Sequence, residues 1–186
     1  TIAAVCTFVV FYLTTVFALN WGTKQLGYSR AQFLEMQLVA TLCFAAFIPL
    51  SAVFAEKFGR RATSIGVCVA SALFGLVFAS MLESGSTVIV FLFLCVGLAL
   101  MGMTYGPIGT VLSEIFPISV RYTGSALTFN LAGIFGASFA PLIATKLAET
   151  YGLYAVGYYL TAASLLSLIA FFLIRETKND DVNNQI

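Results

Sequence analysis

Glu56-Lys57-Phe58-Gly59-Arg60-Arg61 stands between two long apolar stretches, Phe33 to Phe54 before it and Ala62 to Leu82 after it. Four of its six residues are charged, whereas the first flank holds one charged residue, Glu35, and the second none. A helix that crosses the hydrocarbon of a bilayer needs about 20 mostly apolar residues. Each flank meets that length, so the hexapeptide reads as a short turn between two membrane spans. Working outward, four more stretches qualify: Ile2 to Asn20, Thr87 to Leu112, Thr123 to Leu147 and Leu153 to Ile174. The expected organisation is an all-α integral membrane domain over 1–175, with spans at 2–20, 33–54, 62–82, 87–112, 123–147 and 153–174, and a polar tail over 176–186.

The composition says the same. Of 186 residues, 60% are hydrophobic and 9% charged, where soluble domains average about 25% charged. Such a chain cannot cover its apolar surface in water, and its solvent is the lipid bilayer. Strands of a spanning barrel would alternate apolar and polar over about 10 residues; these runs are longer and uniformly apolar. A formal net charge of +1 gives nucleic acid no purchase. Cys6, Cys43, Cys68 and Cys95 all lie inside apolar runs without ligand-like spacing, which makes them small buried residues rather than disulfides or metal ligands. The chain has no histidine, so histidine catalysis, proton relays and metal sites are excluded. No Walker-type loop or Ser/His constellation stands in it, and no paired aspartates stand within its spans, so neither an enzyme nor a cofactor is expected. Thr1 opens directly into apolar sequence with no basic region or cleavage site, which reads as a piece of something longer rather than a signal peptide.

Lysine and arginine set the orientation. Lys57, Arg60, Arg61, Arg121, Arg175 and Lys178 fall on one side of the six spans; Lys24, Arg30 and Lys146 fall on the other. The positive-inside rule places the Gly59 turn, Arg121 and the C-terminal tail in the cytoplasm. Span four carries Gly97, Gly102, Gly106-Pro107 and Gly109, which predicts a kinked or locally unwound second half. Span five has Gly124, Gly133, Gly136 and Pro141, with Gly133 and Ala137 forming a small-xxx-small face for close helix approach. Two readings of these small residues stay open, plain packing and a moving part built into spans four and five.

Read together, the loops resemble the C-terminal half of a major facilitator superfamily transporter. Ala55-Glu56-Lys57-Phe58-Gly59-Arg60-Arg61 is similar to that superfamily's loop signature of a small residue, an acid, a base, any residue, glycine, arginine and a base. Gly106-Pro107, Ser113-Glu114-Ile115-Phe116-Pro117 and Val120-Arg121-Tyr122-Thr123-Gly124 resemble its metabolite:proton symporter branch, and Asn130, Ala140-Pro141 and Arg175-Glu176-Thr177-Lys178 extend the likeness to the end of the chain. One departure is Glu56, where the signature has aspartate. Another is extent: such transporters resemble two six-helix halves around a cavity, so the six spans correspond to the second half and an N-terminal six-helix half is the expected partner.

The resemblance implies a cytoplasmic gate. Gly59 allows a tight turn, Arg60 and Arg61 offer planar donor forks suited to a carboxylate, and Glu114 is the candidate acid, with Arg121 nearby; Glu56 and Lys57 complete the set. The same cations also serve as plain cytoplasmic anchors. Polar residues at depth are the candidates for the substrate path: Tyr12 and Asn20 in span one, with Thr14 and Thr15 between them, Thr104 and Tyr105 in span four, and Thr128 and Asn130 in span five. Asn130 stands out because an amide in hydrocarbon must find partners, which a neighbouring helix supplies as well as a ligand does. Charged groups within the spans are few and shallow, namely Glu35 and, just past span three, Glu83, so the proton-binding carboxylate of a symporter is expected in the other half.

By resemblance, the expected function is alternating-access proton symport of a small polar metabolite across a bacterial cytoplasmic membrane. The substrate class is an organic acid, shikimate-like or a dicarboxylate, or a betaine-like zwitterion. A facilitative sugar or metabolite carrier without proton coupling is the alternative. A stand-alone six-helix membrane protein with a structural or assembly role is another.

Overall fold

The computed structural model describes residues 2–173, apart from the side chains of residues 111–115. The tail over 176–186 lies outside the described residues. Six helices are long and apolar enough to cross a membrane, and the described residues include no strand. Span one runs Ile2–Lys24, span two Arg30–Phe58, span three Arg60–Leu82, span five Arg121–Tyr151 and span six Leu153–Leu173. Span four is helical over Thr87–Ile115.

The helices overrun the apolar stretches that announced them, for a local reason. Hydropathy marks where a helix meets lipid, whereas caps mark where its backbone ends. Span two begins at Arg30 rather than Phe33 because Ser29 and Gln32 form a reciprocal capping box: Gln32 N donates to Ser29 Oγ and Ser29 N to Gln32 Oε1, both at 3.2 Å. Spans two and three meet at one residue. Gly59 has φ 97° and ψ 149°, a backbone region all but closed to side chains bearing Cβ. Its N–H donates to Ala55 O (3.0 Å), and its carbonyl accepts from Thr63 N (3.1 Å) and Thr63 Oγ1 (2.8 Å).

Spans three and six lie antiparallel in close contact. A Cβ on Gly75 would stand 2.7 Å from Gly157 O, and Thr161 Oγ1 donates to Ala72 O at 3.0 Å. Bundles in lipid gain little from apolar burial between helices and depend on this close backbone approach and on interhelical hydrogen bonds. Phe74, Phe78 and Phe93 fill the adjoining core, with Phe78 and Phe93 edge to face at 4.9 Å. Spans two and five are the least buried, with 17% of the residues in an 18-residue apolar stretch of each lying inside the bundle, against 39–50% for the other four.

Span four corrects one half of an expectation, the local unwinding. Its helix continues unbroken through Gly102, Gly106, Pro107 and Gly109 and is not unwound. The glycines here serve packing: a Cβ on Gly102 would stand 2.7 Å from Phe44 O, and one on Gly106 3.0 Å from Ile48 O, so span two seats directly on them. The helix breaks lie elsewhere, as π-helical turns at Leu13–Phe17 in span one and Ile134–Ser138 in span five. The close approach expected at Gly133 and Ala137 centres on Gly136, where an added Cβ would stand 3.1 Å from Val5 O and collide with Phe8 of span one.

Candidate functional site

Polar groups are held by tertiary contacts at the charged turn and in the middle of span one, as they are between spans three and six. At the turn, Arg61 reaches across to the end of span six. Its Nε donates to Phe171 O at 3.0 Å and its Nη2 to Phe172 O at 2.7 Å. Both carbonyls lie in the last described turn of span six, so the guanidinium ties the start of span three to it. Glu56 and Lys57 are exposed, with Lys57 Nζ 5.3 Å from the ring centre of Phe58. Arg60 is half-buried at the start of span three. The side chain of Glu114 lies outside the described residues. Arg121 donates through Nε to Phe116 O (3.4 Å), within its own loop. It also borders an otherwise largely apolar groove of about 600 Å³, formed with Gly109, Ile118, Tyr122, Ser125 and Phe129.

The substrate-path candidates separate into two environments. Thr104 is buried and faces inward, beside Thr7, Ser64 and Cys68, with Oγ1 donating to Met101 O (2.8 Å). Tyr105, its neighbour, faces outward and is 40% exposed, its ring edge-on to Phe44 (6.0 Å) and Phe129 (6.4 Å). Asn130 is exposed and satisfies itself locally, Nδ2 donating to Ala126 O one turn back at 2.7 Å. Tyr12 is half-buried, edge-on to Phe11 at 5.2 Å, and Asn20 is exposed. Thr15 Oγ1 returns to Phe11 O (2.7 Å), while Thr14 Oγ1 is buried with no hydrogen-bond partner among the described residues.

Gln37 of span two is the residue that reading the sequence passed over. Buried, it points its Nε2 at span one, 2.8 Å from Thr15 O and 3.3 Å from Thr14 O. The signal was present: the argument that singled out Asn130, an amide that must find partners in hydrocarbon, applies with equal force to Gln37.

The residue pattern can now be set beside known proteins. The family model described as Major Facilitator Superfamily matches residues 1–185. The chain belongs to the Major Facilitator Superfamily. An inner membrane metabolite transport protein of Escherichia coli K12, YhjE, is 41% identical over 98% of this chain and 42% of its own length. A citrate-proton symporter of Klebsiella pneumoniae is 30% identical over 86% of the chain and 36% of its own length. The shikimate transporter of Escherichia coli K12 is 29% identical over 93% of the chain and 40% of its own length. The chain thus spans about two-fifths of the curated relatives it matches. No solved structure matches it. The superfamily relatives are named as transport proteins, not as enzymes.

Proposed function

We propose that this chain is the C-terminal half of a secondary active transporter that moves a small polar metabolite by alternating access, driven by proton symport. The observation that carries the reading is the family match over 1–185, joined to a metabolite transport relative at 41% identity over nearly the whole chain. A citrate-proton symporter and a shikimate transporter among the relatives support an organic acid as substrate and the proton as driving ion. A betaine-like zwitterion is the second substrate class, supported by a glycine betaine/proline/ectoine/pipecolic acid transporter at 25% identity.

In this reading an N-terminal six-helix half completes the cavity, and the faces of spans two and five that are bare here meet it or lipid. The Gly59 turn faces the cytoplasm of a bacterium and lies at the inner membrane surface. The proposed gate between halves comprises Glu56, Lys57, Gly59, Arg60, Glu114 and Arg121, and Arg61 remains a candidate for it alongside its bonds to span six.

Uptake into proteoliposomes by the full-length protein tests this. Accumulation of an organic acid that rises with an inward proton gradient and collapses with a protonophore is the expected result. Equilibration unaffected by the gradient would instead establish a facilitative carrier, and no carboxylate or betaine uptake under either condition would overturn the substrate class.

A further inference from the structure

Span one is interrupted at mid-length, and the interruption is held by one side chain from another helix. A π turn carries one residue more than an α turn. At Leu13–Phe17 the amide of Ala18 donates to Leu13 O and Thr15 O, so the donor that an α-helix would give to Thr14 O is diverted. Gln37 Nε2 stands where that donor is missing, 3.3 Å from Thr14 O and 2.8 Å from Thr15 O. In hydrocarbon no water is at hand to take over, so the amide and the bulge depend on each other. Span four closes the third side, because Gly97 leaves no room for a Cβ against Thr14, whose Cγ2 would lie 2.6 Å from it. Spans one, two and four thus meet at Thr14.

The bulge sets a rotation. One extra residue without its share of helical turn offsets the segment after it from the segment before by roughly 100°, one residue's rotation in an α-helix. Tyr12 precedes the bulge and Asn20 follows it, so their relative facing depends on the bulge being present. We infer that Gln37 is a positioning residue: by donating to the Thr14 and Thr15 carbonyls it pins the π turn of span one and thereby fixes which faces of that span, Tyr12's and Asn20's, look into the transport path. The pin stands on the geometry alone; its service to transport rests on the function proposed above.

The test uses the full-length protein in nanodiscs and liposomes, with and without Gln37→Leu. Hydrogen exchange of the amides over 14–19 is expected to quicken by about tenfold, with spans three and six unchanged. Single cysteines at Tyr12 and at Asn20, in a background with every native cysteine replaced by alanine, Cys6, Cys43, Cys68 and Cys95 among them, report the rotation. The ratio of their labelling rates with a polar maleimide shifts several-fold on Gln37→Leu. With shikimate and citrate as uptake probes, KM rises several-fold while the maximal rate holds. Gln37→Met, which nearly keeps the size and has no donor, takes the place of the leucine variant should that one not accumulate. Unchanged exchange and an unchanged labelling ratio overturn the pin. Faster exchange with an unaltered labelling ratio and KM overturns the positioning role and leaves a structural hydrogen bond. A wild-type protein that takes up neither probe counts against the proposed function alone, because exchange and labelling still decide the pin.

Discussion

Arg61 and Phe172, 111 residues apart in sequence, are joined by a 2.7 Å hydrogen bond from Nη2 to the backbone carbonyl, with the 3.0 Å bond to Phe171 O beside it. A residue whose sequence context suggests a partner carboxylate is thus engaged by a helix end. Spans three and six are clamped at this end by Arg61 and along their length by the contact between Gly75 and Gly157.

Removing the clamp should cost stability. Arg61→Ala is expected to destabilise the bundle by about 1.5 kcal/mol, the lower end of what a hydrogen bond from a charged group contributes, because the Nη2 bond is exposed. Arg61→Lys keeps the charge near the helix end but loses the fork, so it recovers only part. Thermal unfolding of detergent-solubilised full-length protein measures both. Stability unchanged in Arg61→Ala, together with altered uptake, would place Arg61 in the gate.

Gly59 should tolerate no side chain. Its φ of 97° with ψ of 149° places Gly59→Ala in strained backbone, worth on the order of 1–3 kcal/mol. Expression level and melting temperature are the readouts. A variant as stable as wild type would mean that the turn relaxes into another conformation.

The contact between spans one and five gives a paired test. Gly136→Val drives a side chain into Phe8 and the Val5 carbonyl, an overpacking of about 1–3 kcal/mol. Phe8→Ala alone also destabilises, by opening a cavity and losing the 5.1 Å edge-to-face contact with Phe129. The double variant should be more stable than the sum of the two losses predicts, a coupling that a double-mutant cycle resolves. Strict additivity would show that the two residues do not meet in the membrane.

Proton coupling, if present, should survive loss of Glu35. This carboxylate is exposed one turn into span two, with no hydrogen bond among the described residues. Glu35→Gln in the full-length protein is expected to leave gradient-driven uptake within about twofold of wild type, since exposed charges contribute little. Retained exchange with lost gradient-driven accumulation would place the coupling carboxylate in this half after all.

Much of the fold was legible because lipid removes alternatives. Where water cannot satisfy the backbone, about 20 apolar residues must become a helix whatever surrounds them, so Ala62 to Leu82 announced span three without reference to any other helix. Glycine was less informative. Gly102, Gly106 and Pro107 suggested a kinked or unwound helix, yet span four runs through them as one helix, with span two seated on Gly102 and Gly106. The same residue types in span five do accompany a break, at Ile134–Ser138. A glycine permits either outcome, and the neighbouring helix chooses.

Taken by itself, the sequence determined six spans, the turn at Gly59 and the polar candidates along them, because each follows from local composition meeting a solvent that tolerates no bare backbone. Tertiary structure alone decided where span one is interrupted, that Gln37 answers the interruption, and that Arg61 serves the end of span six. These depend on which helices lie side by side. A buried carbonyl takes its donor from whatever is within about 3 Å, and that distance is set by packing between segments up to 111 residues apart.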